Sequence, residues 1–100
     1  MGREPYDLRQ GDILIARSTF SILKPNEYGI LSLQYSTSPG EIFVMLTDLV
    51  ASTDGKYPCI AWLMSSKGTS VISFGGVNPN IRSIRAWLEE FFDHIPVDQL

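Results

Sequence analysis

Asn78-Pro79-Asn80-Ile81-Arg82-Ser83-Ile84-Arg85-Ala86-Trp87-Leu88-Glu89-Glu90-Phe91-Phe92-Asp93-His94-Ile95-Pro96 is the stretch that decides the fold. Ile81, Ile84, Leu88, Phe91 and Ile95 recur at spacings of three and four. At about 100° per residue these side chains and Phe92 share one side of a helix, with Trp87 at its margin. Arg82, Glu89 and Asp93 lie opposite. Asn78 before Pro79 resembles an N-cap followed by proline at the first helical position, where its missing N–H costs nothing. Pro96 ends the segment, because it disfavours helical geometry in the residues before it. A C-terminal amphipathic helix is predicted over about 79–95.

Upstream the periodicity changes to that of strands, over about residues 12–75. Residues 12–17 are apolar on both faces, which suits a buried strand entered after Gly11. Phe20–Leu23 forms a short strand stopped by Lys24-Pro25-Asn26. In the next, Leu31, Leu33 and Tyr35 alternate with Ser32 and Gln34, the pattern of one wet face. Glu41–Leu46 is continuously apolar after its first residue and therefore central. Asp54-Gly55 signals a type I′ hairpin, with a return strand over residues 56–64. Ser65-Ser66-Lys67-Gly68 supplies a second tight turn, and Thr69–Phe74 a sixth strand.

Six short strands in meander order followed by one helix define a single α+β domain over residues 1–100. Leu8-Arg9-Gln10-Gly11-Asp12-Ile13-Leu14 resembles the Gly-Asp-plus-aliphatics strand of SH3-like barrels, and the tight Ser66-Lys67-Gly68 turn fits the same architecture. That resemblance covers about residues 8–75. It implies an antiparallel β-meander curled into a small SH3-like barrel or half-barrel, and no particular function.

Composition bounds the function. The 100 residues carry eight basic and eleven acidic side chains, for a net charge of −3. Nucleic-acid binding rests on Lys and Arg at phosphates, and no basic run is present, so this class is disfavoured. The single cysteine, Cys59, excludes an internal disulfide and points to a reducing compartment. The polar start Met1-Gly2-Arg3-Glu4-Pro5 lacks a leader pattern, and the longest apolar run, Ile42–Leu46, is too short for a membrane helix. A cytoplasmic protein is expected.

No set of residues spells out a reaction. Cys59 and His94 are the chain's only Cys and His. Cys59 lies in an apolar strand pattern, where a thiol behaves as a small hydrophobe. One Cys and one His cannot supply a zinc site, and no calcium-loop spacing exists. Gly75-Gly76 precedes the helix, where backbone amides can cradle an anion, with Arg82 and Arg85 nearby. A strand-to-helix turn explains the glycines with no ligand at all and is the favoured reading. No catalytic residue, cofactor or metal is expected, and the chain does not read as an enzyme.

Two features point to a protein partner instead. Helix dipoles favour acids at the N-terminus and bases at the C-terminus, yet here Arg82 and Arg85 come early and Glu89, Glu90 and Asp93 late. Either Lys24, Lys56 or Lys67 compensates, or the acidic end meets a basic surface on a partner. Tyr28 and Tyr57 flank turns, where exposed tyrosines make protein contacts at low entropic cost. Tyr28, Tyr57, Glu89, Glu90 and Asp93 are therefore the candidate partner-binding residues. The leading expectation is a non-enzymatic protein-binding module: an adaptor, subunit or small inhibitor. In size and charge it is similar to small acidic blockers of nucleic-acid-handling enzymes, including phage-encoded ones. The alternatives are an SH3-like nucleic-acid binder and an anion- or ligand-binding domain at the Gly75-Gly76 junction. A homo-oligomer hiding a strand edge is compatible with each.

Overall fold

The computed structural model describes residues 7–25, 27–29, 31–74 and 78–99, and of residues 31–33 the backbone alone. The strands are β1 (Ile13–Ala16), β2 (Ser21–Pro25), β3 (Leu31–Ser36), β4 (Ile42–Met45), β5 (Ile60–Ser65), β6 (Gly68–Ser73) and β7 (Phe92–Ile95). Helix α1 (Ile81–Phe91) lies between β6 and β7, and a 3₁₀ turn (Val97–Gln99) follows. All seven strands form one antiparallel sheet in the order β3-β2-β6-β5-β4-β1-β7. The α+β class is as expected.

The meander is broken in two places. β1 pairs with β4 and β7 rather than with β2, and β2 pairs with β6. The sheet is not closed into a barrel: β3 and β7 are its edges. β7 occupies the side of β1 that closure would have required. The sheet is nonetheless strongly curled. The rings of Tyr35 on β3 and Phe43 on β4 lie 6.5 Å apart, although three strands separate β3 from β4 in the order.

The helix is shorter at both ends than its sequence pattern suggests. Its N-cap is Asn80, not Asn78: the Asn80 Oδ1 accepts from the Ser83 N–H at 3.0 Å. Ile84 and Leu88 are buried against the sheet, whereas Ile81 is exposed. At Phe92 the backbone turns extended (φ −137°, ψ 152°) while its N–H still reaches the Leu88 carbonyl. Phe92–Ile95, expected as the last helical turn, then pairs with all of β1, from Ala16 opposite Phe92 to Ile13 opposite Ile95. Pro96 explains the choice. It bars helical geometry at Ile95, and a strand against β1 satisfies the backbone groups that another helical turn would have used.

The turn at Asp54-Gly55 also differs from expectation. A type I′ turn needs positive φ at both central residues, yet no described non-glycine residue has one, and only Gly55 of the pair does (φ 81°). The turn closes through the Gly55 N–H on the Ser52 carbonyl (3.0 Å) and the Ser52 N–H on the Lys56 carbonyl (2.8 Å). The Ser52 hydroxyl donates to the Asp54 carboxylate and, with the Lys56 N–H, holds that carboxyl below its ordinary range. No ladder follows. The Tyr57 N–H is drawn to the Pro79 carbonyl (2.8 Å), and Pro58 has no N–H to give, so β5 starts at Ile60.

The core lies between the inner face of the sheet and α1. It contains Leu14 of β1, Phe43 and Met45 of β4, Leu63 of β5, Ile72 of β6, Ile84 and Leu88 of α1 and Phe92 of β7, with Leu8, Leu49 and Tyr57 closing one end.

Candidate functional site

Strand alternation divides β1, β4 and β5 into two sets of side chains. Leu14, Phe43, Met45 and Leu63 point inward and are fully buried. Ile13, Ile15, Ile42, Val44, Ile60, Trp62 and Met64 occupy the alternate positions. The pairing aligns them into rows. Ile13 faces Val44, which faces Met64 on its other side, and Ile15 faces Ile42. Trp62 faces Val71, and Val71 faces Leu23.

This outer face is apolar and incompletely covered. Ile42 is 55% exposed, Met64 45%, Ile60 39% and Val44 36%. A shallow depression on it is floored by Ile42, Val44 and Met64 and walled by Glu41 and Ser65. No charged side chain occupies the rows of β1, β4 and β5. At the rim, Glu41 accepts from the Ser38 N–H (3.0 Å) and the Tyr35 hydroxyl. Asp93, opposite Ile15, lies 4.0 Å from Arg17. The rim charges are thus engaged within the chain. The reading of β1 and β4 as apolar on both sides is correct in composition, but α1 covers just one of those sides.

The five residues singled out as partner-binding do not form one surface. Tyr28 is 79% exposed in the β2–β3 connection. Tyr57 is not on the surface: it is 1% exposed, and its hydroxyl donates to Asp7 Oδ1 at 2.9 Å. Flanking a turn did not expose it, because the turn folds back onto the core beneath Leu8 and Leu49. Glu89 and Glu90 are exposed at the end of α1, while Asp93 is on β7 rather than on the helix. The basic residue that answers the helix end is Arg17, not Lys24, Lys56 or Lys67. Its side chain donates to the Glu89 carbonyl, and its N–H donates to the Phe91 carbonyl (2.9 Å). Arg85 pairs with Glu89 at 3.1 Å. Lys24 and Lys67 instead stand over the Tyr35 ring, 5.6 and 5.7 Å from its centre.

His94 is not near a thiol. Its Nε2 lies 2.7 Å from Oδ2 of Asp12, a carboxylate with no exposure that also accepts from the Arg9 N–H (3.0 Å) and the Val97 N–H (2.7 Å). Asp12 thereby ties β1, β7 and the 3₁₀ turn together, a structural role that sequence reading missed; the Gly11-Asp12 pair was visible only as a strand start. Cys59 is half-buried just before β5, not within a strand. The Gly75-Gly76 junction lies outside the described residues. Among the described residues no three of His, Cys, Asp and Glu converge as a metal site would need, and no helix is long and apolar enough to cross a membrane.

Comparison with protein-family models, with curated proteins and with solved structures finds no match to this chain.

Proposed function

We propose that this chain is a non-enzymatic protein-binding module, an adaptor, subunit or small inhibitor, that docks through the outer face of β1, β4 and β5. The observation that carries this reading is the incompletely covered second side of strands whose composition demands cover on both sides. Strands apolar on two faces are found where both faces are packed, and the helix supplies one cover. Covering Ile42, Val44, Ile60 and Met64 is worth on the order of 1 kcal/mol each, since each gives up about half a side chain of surface. The uncharged face surrounded by internally paired charges favours an apolar partner surface over phosphates, which would require Lys or Arg there. In architecture we read the curled sheet as an SH3-like half-barrel. Its support is the Gly11-Asp12 entry into β1 and the approach of β3 to β4.

The test is affinity capture from lysate of the cells that carry the gene, with nuclease treatment and at low and high salt. Ile42→Lys/Met64→Lys is compared with the unaltered chain and with Glu89→Lys/Glu90→Lys/Asp93→Lys. We expect one stoichiometric protein that survives nuclease and salt and is lost only with the Ile42/Met64 variant. Retention by that variant, or loss of the captured material with nuclease, would overturn the reading.

A further inference from the structure

A second apolar feature lies where β2, β6 and α1 meet. β2 pairs with β3 at five positions and β6 with β5 at six, but β2 and β6 share one paired position, Leu23 with Val71. Aromatic side chains at the two strand ends pack on the helix. Phe20, entering β2, packs with a tilted ring at 4.6 Å against Phe91 and edge-on at 5.2 Å against Phe92. Phe74, leaving β6, packs edge-on against Trp87 at 5.5 Å. Trp87 and Phe91 are one helical turn apart, about 6 Å along the axis. Phe91 and Trp87 thus each anchor one strand end to α1.

The result is a cleft of about 500 Å³. Its walls carry the rings of Phe20, Phe74, Trp87 and Phe91, none of them fully buried. Ser21, Gln34 and Ser73 supply its neutral polar groups, and among the described residues no charged side chain lines it. The volume falls within the range of small-molecule sites, roughly 300–1,000 Å³, which are mostly apolar with few polar groups. Aromatic walls favour ring ligands through edge-to-face contacts. An ionised ligand would lose hydration here without gaining a counter-charge.

We propose that this cleft is a binding site for a small, uncharged aromatic molecule, independent of the docking face. A ligand seated there would bridge β2, β6 and α1, the three elements that line the cleft.

The probe is N-phenyl-1-naphthylamine, a neutral fluorescent aromatic, titrated into the full chain and followed by NMR. Saturable binding of one equivalent is expected, with nuclear Overhauser contacts to the Trp87 indole and the Phe20 ring. Its anionic relative 1-anilinonaphthalene-8-sulfonate should bind at least fivefold more weakly. Ser73→Phe puts a ring into the mouth of the cleft and should weaken the neutral probe at least tenfold. Ser21→Phe does the same from the other strand, should either variant fail to fold by circular dichroism. Absence of saturable binding, contacts to Trp62 in place of Trp87, or equal affinity for the anion would each overturn the proposal.

Discussion

Tyr35 shows how one side chain couples the curl of the sheet to pH. It leaves β3 to reach Phe43, receives two lysines over its ring, and donates its hydroxyl to Glu41. Burial, and then the hydrogen bond and charge of Glu41, raise its phenol above the ordinary value of 10.0. The folded state therefore prefers the protonated phenol. Above about pH 10 the unfolded chain releases that proton while the folded chain still holds it, so stability is complete below this pH and declines as pH rises through the folded value. Urea unfolding followed from about pH 8 to pH 11 should show a falling midpoint at the alkaline end. Tyr35→Phe should flatten that fall; an unchanged slope would place its origin elsewhere. The hydrogen bond from Tyr57 to Asp7, and the Arg9, Val97 and His94 nitrogens converging on Asp12, likewise give buried polar groups partners within the chain.

Among the elements, α1 has the clearest limits. Its start is set by one side chain: Asn80 caps the Ser83 N–H, and its backbone bridges to Lys56. Loss of an N-cap oxygen costs about 1 kcal/mol. Asn80→Ala should therefore lower the unfolding free energy by about that amount in urea titrations, whereas Asn78→Ala, two residues earlier, should change it by less than about 0.5 kcal/mol. The reverse ranking would restore the longer helix. Its far end is set by competition. Phe92 and Ile95 are three apart, a helical spacing that puts them on opposite faces of a strand, but the open edge of β1 offers a full ladder to an extended chain alone. Arg17 then answers the helix carbonyls from β1, so a helix with no basic residue in its last turn still ends on a positive charge.

At the scale of the molecule, the sheet has one side packed on α1 and one side only partly covered, and neighbouring residues of β5 separate the two. Leu63 is fully buried and Met64 is 45% exposed. Leu63→Ala should cost about 2–5 kcal/mol by leaving a cavity in the core. Met64→Ala should stay within roughly 0.5 kcal/mol in the isolated chain. Thermal melts of the two variants decide the assignment of faces. If Met64→Ala destabilises as strongly and its effect depends on protein concentration, the outer face is already covered by a second copy of the chain.

Local chemistry in the sequence was enough for β1 to β6, though not for β7, because a strand or turn states itself within a few residues. Ile13–Ala16, Ile42–Met45 and Gly68–Ser73 announce their elements by β-branched and apolar runs, and Gly68 its turn by the left-handed φ of 109° it adopts. The two-sided apolar character of β1 and β4, from which the docking face follows, was equally visible. What required the tertiary structure is everything set by contacts distant in sequence. Whether β1 joins β2 or β7 depends on which edge the chain after α1 can reach. Tyr57 looks exposed until Asp7, fifty residues away, takes its hydroxyl. The helix end looked uncompensated because Arg17 lies seventy-two residues from Glu89. Periodicity reports which side of an element is apolar; only packing decides which of those sides the chain itself can cover.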